Sequence, residues 1–278
     1  MTPSEHAQLA LLLEVAGTPK PGNVDRERDL PDLRFEHFLA GTVGAGEGLR
    51  SAADGAPVGE AFERAVEGMS RQSGGNTQFG ALLLLVPLVR AAAADDLSPD
   101  GATRVVEDTT VEDAANFYRA FDHVDVFVGD PPEDADALDV RRGSDAVPAV
   151  RERELSLYDV LALGDDDDDV AAEWTGGFER TFWAADRLAD FEGPASGRAA
   201  RVYLELLARE PDTLVATKHG RKAAESVRVR AQEALEGGPA VVEAFAESLV
   251  ADGINPGTTA DVTAAALFVA LARGEVSV

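Results

Sequence analysis

Four short segments of the chain combine glycine or proline with polar side chains in patterns that core packing does not require. The first spans residues 18–26 and reads TPKPGNVDR, with Asp29 and Asp32 close behind it. Two prolines and a glycine predict a stiff loop that presents charges of both signs and free backbone N–H groups, which suits a metal-bound polyphosphate. The polar residues within this loop that could take part are Lys20, Asn23, Asp25 and Arg26. A purely structural turn is the alternative.

Two further segments each lead into an apolar helix. Residues 73–80 read SGGNTQFG, and residues 253–261 read GINPGTTAD. A glycine-rich helix start exposes backbone N–H groups at the positive end of the helix dipole, which favours an anion. Ordinary capping, with Thr258 and Asp261 as a capping box, is the structural alternative. The candidate residues of the two helix starts are Asn76, Thr77, Asn255, Thr258 and Thr259 for phosphate, and Asp261 for metal or base chemistry.

The fourth segment, residues 211–220, reads PDTLVATKHG and contains Lys218, one of only three lysines in the chain. Because the sequence otherwise uses arginine, Lys218 is a candidate phosphate partner that offers a compact positive charge. A lysine on a helix surface needs no function, so this segment alone decides nothing. None of the four segments matches a Walker loop or a dinucleotide-binding fingerprint.

The charge balance excludes several kinds of partner. The 278 residues include 51 acidic and 25 basic ones, which gives a formal charge of −26. Such a surface repels nucleic acids and anionic bilayers, so we expect neither as a partner. The acidic excess and the rarity of lysine are typical of proteins adapted to molar salt, where a short Debye length screens the repulsion. The absence of cysteine excludes disulfides and thiolate catalysis and leaves Asp and Glu as candidate catalysts.

Helical periodicity dominates the rest of the sequence. Apolar residues recur at spacings of three and four in most of the chain, so we predict an all-α fold that forms one multi-helix domain over residues 1–278. Residues 171–191 are predicted as one long helix. Alternating residues 123–128 predict an extended loop or a short edge pairing, because one strand cannot form a sheet. No signal-peptide pattern and no membrane-spanning apolar run is present, so a cytoplasmic location is expected.

Taken together, five stretches of the sequence resemble the triphosphoribosyl-dephospho-coenzyme A synthase family. They are KPGNVDR at 20–26, GGNTQFG at 74–80, LSLYDVLALG at 155–164, PDTLVATKHG at 211–220 and NPGTTADVTAAALF at 255–268. They follow the family's order and cover nearly the whole chain, and the composition indicates a haloarchaeal branch. Family members that make the prosthetic group carry His and Lys where this sequence has Gln78 and Phe79, and residues 29–35 also differ.

The resemblance implies an all-α enzyme that transfers the triphosphoribosyl part of ATP onto the hydroxyl group of dephospho-coenzyme A, or of a related alcohol, and releases adenine. Such a displacement needs a base for the acceptor hydroxyl and help for the departing purine. For this reaction we expect Asp25 as base or metal ligand, with Asp29, Asp32 and Asp261 as further catalytic candidates. A non-catalytic ATP-binding module that regulates a partner is the alternative function.

The resemblance also implies how the triphosphate is held. Mg²⁺ prefers oxygen ligands, so we expect it to bridge Asp25 or Asp261 to the phosphates. Lys20, Arg26 and Lys218 would neutralise phosphate charge. The expected hydrogen-bond donors are Asn23 in the first loop and Asn76, Thr77, Asn255, Thr258 and Thr259 at the two helix starts.

Overall fold

Fifteen α-helices make up the described part of the chain. The structure is a computed structural model, and it describes residues 1–131 and 135–278. Two 3₁₀ turns, Asp136–Leu138 and Val140–Ala146, lie between the sixth and seventh helices. In chain order the helices are α1 Pro3–Ala16, α2 Phe35–Ala53, α3 Val58–Met69, α4 Phe79–Ala93, α5 Pro99–Glu107, α6 Val111–Ala120, α7 Val147–Glu152, α8 Leu157–Ala162, α9 Asp169–Thr175, α10 Glu179–Asp190, α11 Ala195–Arg209, α12 Thr213–His219, α13 Arg221–Gly237, α14 Pro239–Ala251 and α15 Gly257–Ala272.

Helices α4 and α15 form the centre of the fold. In α15, 13 of 16 residues are buried, and in α4 the buried residues follow one another from Ala81 to Val89. A helix that is apolar on all sides must be surrounded by other elements, and α15 packs against α1, α4, α10 and α11. The first turn of α4 touches the second turn of α15, because a Cβ on Gly80 would collide with the carboxylate of Asp261. The sequence segments 73–80 and 253–261 therefore meet at one place.

A second cluster of buried apolar residues lies among helices α11 to α14. It includes Tyr203 of α11, Val215 of α12, Val227 of α13 and Leu249 of α14. The hydroxyl group of Tyr203 donates a hydrogen bond of 2.8 Å to the backbone carbonyl of Pro21. This bond ties the first loop to the cluster formed by α11 to α14.

The all-α prediction is confirmed, since no strand is present among the described residues. Residues 125–130 have no regular secondary structure, and the short edge pairing that the alternating stretch predicted as one alternative does not form among the described residues. The prediction of one helix over residues 171–191 is wrong, because the chain turns between α9 and α10. Gly177 and Phe178 have positive φ angles of 68° and 60°, which a continuous right-handed helix does not allow.

Helix α12 falls within residues 211–220, the fourth of the segments that the sequence identified. Helix α12 has a local signal, because the Asp212 side chain accepts a hydrogen bond from the backbone N–H of Val215 and so caps the helix. In the described ranges, no helix combines the length and the apolar character that crossing a membrane requires.

Candidate active site

A cavity of about 560 Å³ lies beside the starts of α4 and α15. Its walls also come from α6, the connection between α8 and α9, α12 and the extended segment 126–131. The volume falls within the range of small-molecule sites in proteins. Both aromatic side chains and carboxylates line the cavity, so a ligand would contact apolar as well as acidic groups.

The aromatic wall consists of Phe79, Phe117 and Phe121. The ring centroids of Phe79 and Phe121 lie 4.8 Å apart, and those of Phe117 and Phe121 lie 5.3 Å apart. Phe62 packs edge-on against Phe79 at 5.1 Å. Tilted and edge-on contacts are favourable for aromatic pairs, so the wall is an ordered apolar surface. Phe79, one of the two departures from the family pattern, contributes directly to it.

The acidic rim consists of Asp166, Asp167 and Asp168, three exposed residues that line the cavity. One carboxylate oxygen of Asp168 accepts hydrogen bonds from the backbone N–H groups of Val170 at 2.8 Å and Ala171 at 3.2 Å, which caps α9. No lysine or arginine is among the described residues that line the cavity. The cavity therefore attracts cations and disfavours bare phosphate groups.

Asp261 lines the same cavity from the second turn of α15. Its carboxylate lies against the backbone of Gly80, where any larger residue would collide with it. Desolvation raises the pKa of Asp261 well above its ordinary value, and neighbouring carboxylates, Glu14 first among them, raise it further, whereas the backbone N–H of Ala81 lowers it. Burial therefore favours the protonated form of this carboxyl group.

The start of α15 is capped by a carboxylate from another helix. Asp212 is fully buried, and one of its oxygens accepts hydrogen bonds from the backbone N–H and the hydroxyl group of Thr259, both at 2.8 Å. Burial raises the pKa of Asp212, although these hydrogen bonds lower it. Thr259 is thus engaged within the protein. Thr258 lines the cavity, with its hydroxyl group 3.4 Å from that of Thr213.

The first loop lies beneath the start of α15. Lys20 is fully buried and forms an ion pair with the buried Glu14, and its Nζ lies 3.2 Å from Oδ1 of Asn23. The amide nitrogen of Asn23 donates to Oδ1 of Asn255 at 2.9 Å. None of Lys20, Asn23 and Asn255 is among the described residues that line the cavity. Their contacts join the loop to α15 and use the charge of Lys20 inside the protein.

Asp25 is fully buried, and its carboxylate accepts four hydrogen bonds. One oxygen accepts from the Thr18 hydroxyl at 3.0 Å, the Lys20 backbone N–H at 3.0 Å and the Arg28 guanidinium at 2.9 Å. The other accepts from the backbone N–H of Glu27 at 2.8 Å. Asp25 is not among the described residues that line the cavity. These contacts favour the structural role for Asp25 over that of a base or metal ligand.

The other polar residues of the first loop lie on the surface. Arg26, Asp29 and Asp32 are exposed, and none is among the described lining residues of the cavity. Asp29 accepts a hydrogen bond of 2.8 Å from the backbone N–H of Phe35 at the start of α2. The structure therefore does not bring these three residues together with Asp261.

In the segment before α4, one polar residue caps the helix and others are engaged inside the protein. Asn76 accepts a hydrogen bond of 3.0 Å from the backbone N–H of Phe79, so it caps α4, and it also lines the cavity. Gln78 is buried and donates to the Thr42 hydroxyl at 2.9 Å. The Thr77 hydroxyl and Oε1 of Gln78 have no hydrogen-bond partner among the described residues. Asn76 is the residue of this segment that a ligand in the cavity could reach.

Lys218 lies at the edge of the cavity and does not line it. The residue is exposed near the end of α12, and its Nζ is 4.9 Å from the centroid of the Phe127 ring. Phe127 lines the cavity. The predicted phosphate partner is thus separated from the cavity by an aromatic ring.

Asp168 and Asp212 shape the site but were not among the residues predicted from the sequence. For Asp212 a signal was available, because an aspartate followed by Thr213 and an apolar run is a typical helix start. For Asp168 the signal was ambiguous, because it stands in a run of five aspartates, residues 165–169, any of which could cap α9.

Comparisons with known proteins agree with the sequence resemblance. The family model CitG, described as ATP:dephospho-CoA triphosphoribosyl transferase, matches residues 1–277. A crystal structure from Archaeoglobus fulgidus, described as a candidate triphosphoribosyl-dephospho-coenzyme A synthase, shares 29% sequence identity and a TM-score of 0.71, over 86% of this chain and 100% of that one. A comparison with curated proteins finds no match. The chain therefore belongs to the CitG family of ATP:dephospho-CoA triphosphoribosyl transferases and is an enzyme of that class.

Proposed function

We propose that this chain transfers the triphosphoribosyl group of ATP to the hydroxyl group of dephospho-coenzyme A, or of a related alcohol, with release of adenine, in the cavity beside α4 and α15. The observation that carries the proposal is that four of the five family-like stretches line this cavity, through Asn76, Gly164, Thr217 and Asp261. The fifth stretch, residues 20–26, lies beneath it and supports the start of α15 through the Asn23–Asn255 hydrogen bond.

The reaction requires carboxyl groups close to the anomeric carbon of the ribose. The bond from the anomeric carbon to adenine breaks, a bond to the acceptor oxygen forms, and positive charge develops on the ribose in between. Negative side chains that line the cavity stabilise this charge. The hydroxyl proton of the acceptor ends on adenine, so one carboxyl group of raised pKa can donate a proton to the purine and take up the proton of the hydroxyl group. We assign this role to Asp261.

Mg²⁺ is proposed to arrive bound to the triphosphate. Magnesium sites often use one or two carboxylates and complete their shell with substrate phosphates and water. In the described ranges, no three metal-binding side chains are grouped in a way that could hold an ion. The oxygens of Asp25 are already hydrogen-bonded, whereas Asp168 at the rim offers an accessible carboxylate oxygen, with Asp261 as the alternative ligand. Such an ion would neutralise phosphate charge that the acidic cavity otherwise repels.

Adenine release separates the enzyme from the alternative, a regulatory module that only binds ATP. The protein is incubated in molar potassium chloride with ATP, Mg²⁺ and dephospho-coenzyme A, and the products are identified by mass spectrometry. We expect one adenine per molecule of acceptor that gains a triphosphoribosyl group. Folded protein that binds ATP but frees no adenine with dephospho-coenzyme A or other alcohols would support the regulatory module. Adenine release with another alcohol alone would redefine the acceptor.

The net charge leads to a separate proposal about salt. A formal charge of −26 on 278 residues opposes folding through self-repulsion, which molar salt screens because the Debye length falls from about 10 Å at 0.1 M to about 3 Å at 1 M. We expect the melting temperature to fall as potassium chloride is lowered from 3 M to 0.1 M, by roughly 2–4 °C for each kcal/mol of added repulsion. Circular dichroism melting curves across this range test the adaptation, and curves that do not move with salt would contradict it.

A further inference from the structure

The extended segment 124–130 borders the cavity with unpaired backbone groups. Val126, Phe127, Val128 and Gly129 all line the cavity. Within the described ranges, no backbone N–H or carbonyl of residues 124–130 forms a hydrogen bond with another backbone group. Unpaired backbone groups at a cavity wall can form hydrogen bonds with a ligand that has matching donors and acceptors. The segment therefore offers its backbone N–H and carbonyl groups to a ligand.

Phe127 on this segment presents an aromatic ring at the cavity. Its side chain is 53% exposed, although Lys218 lies over the ring at 4.9 Å. Phe79 and Phe117, which line the same cavity, are buried, so Phe127 is the most accessible of these three rings. A flat ligand ring can stack on such an exposed aromatic face.

Lys218 lies over the Phe127 ring, but the described charged residues that line the cavity are carboxylates, which favour a purine ring over a phosphate group as ligand. Asp130 and Asp139 line the cavity together with the segment, and no lysine or arginine is among the described lining residues. Carboxylates repel phosphate, but they accept hydrogen bonds from an amino group. An adenine edge carries an amino donor beside a ring-nitrogen acceptor, which matches the adjacent carbonyl and N–H groups of an extended backbone.

We propose that residues 126–129 form a purine subsite, in which the adenine ring of a substrate stacks on Phe127 and its edge hydrogen-bonds to the backbone of the segment. The inference rests on the proposed function, because both ATP and dephospho-coenzyme A carry adenine, and it names the part of a substrate that this wall binds. Stacking of a base on an aromatic side chain contributes enough that its loss weakens binding about tenfold or more. Because both substrates carry adenine, the experiment must determine which of them binds at this subsite.

The test places a fluorescent reporter at the subsite. The Phe127→Trp variant is titrated with adenine, Mg-ATP, dephospho-coenzyme A, inorganic triphosphate and pantetheine. The signal is its tryptophan fluorescence minus that of the wild type, which already contains two tryptophans. We expect adenine and at least one of the two nucleotides to quench it, and triphosphate and pantetheine to leave it unchanged. The nucleotide that quenches identifies the source of the purine. Val241→Trp, at a residue on α14 that is 42% exposed and outside the cavity lining, is the matched control and should respond to none of them.

Kinetics supply the second readout. Phe127→Ala should raise the KM of the substrate whose purine lies here about tenfold, and Phe127→Tyr should restore it, because only the aromatic face is needed. Inosine triphosphate, whose oxo group replaces the amino donor, should bind more weakly than ATP if the purine of ATP occupies the segment. Quenching by pantetheine without adenine, or no quenching by any purine, would overturn the subsite. If adenine quenches Phe127→Trp but the wild type releases no adenine from ATP, the proposed function is rejected and the purine subsite is retained.

Discussion

Replacing Asp261 by asparagine is expected to slow adenine release by about 10²- to 10⁴-fold, the usual loss when a group that transfers protons is removed. Asparagine has nearly the same shape, so the close contact with Gly80 is kept. It can neither donate the proton that adenine needs nor take up the proton of the acceptor hydroxyl. The measurement is the rate constant for adenine release at saturating ATP and acceptor, in molar salt.

The same variant should be at least as stable as the wild type near neutral pH, which separates lost chemistry from lost folding. Because desolvation raises the pKa of Asp261, the folded state disfavours its charged form. The resulting loss of folding stability is absent below the pKa that Asp261 has in the unfolded chain. It grows as the pH rises above about 4 and is complete above the pKa that Asp261 has in the folded protein. The melting temperature of Asp261→Asn should therefore exceed that of the wild type increasingly as the pH rises through this window.

The matched control for this prediction is Asp252→Asn. Asp252 is exposed at the end of α14, close in sequence to the same segment, and is not among the described residues that line the cavity. Its substitution should change neither rate nor melting temperature. Full turnover in Asp261→Asn would remove Asp261 from the chemistry, and early melting would show that its charge stabilises the fold.

The fold could be predicted where the signals are local. Helices α4 and α15 are recognisable because they are apolar on all sides. The break between α9 and α10 was not predicted, although Gly176 and Gly177 stand at it. The apolar pattern continues across these glycines, so only the positive φ angles of the folded chain show that the helix ends there.

The candidate site was predictable in part for the same reason. Asn76, Thr258 and Asp261 stand at glycine-rich helix starts, and a helix start has a local signature, so all three were identified and all three line the cavity. The role of Lys20 depends instead on Glu14, which neutralises it in the interior. Asn23 depends on a residue 232 positions away. A motif shows which groups a loop carries, but only the tertiary partners decide whether those groups face a ligand or each other.

Asp25→Asn is expected to lower the free energy of unfolding by about 1–3 kcal/mol, as is typical when buried hydrogen-bond donors lose their acceptor. The Arg28 side chain, only 11% exposed, would lose its ion pair with Asp25 and keep the one with Glu243. The new amide nitrogen would also be a donor that faces other donors, because every hydrogen bond of the Asp25 side chain is one that its carboxylate accepts. Adenine release per folded molecule should stay near the wild-type rate, since Asp25 is not among the described residues that line the cavity.

Denaturant unfolding and adenine release, measured on one preparation in molar salt, decide between this structural role and the catalytic role that the sequence suggested for Asp25. Glu27→Gln is the matched control, because Glu27 is an exposed acidic neighbour whose backbone N–H, and not its side chain, bonds to Asp25. It should change neither quantity. Wild-type stability combined with a rate lowered 10²- to 10⁴-fold would return Asp25 to the chemistry. The first loop would then have to reach the reacting atoms through a rearrangement that breaks its four hydrogen bonds, because in the present arrangement both oxygens of Asp25 are engaged.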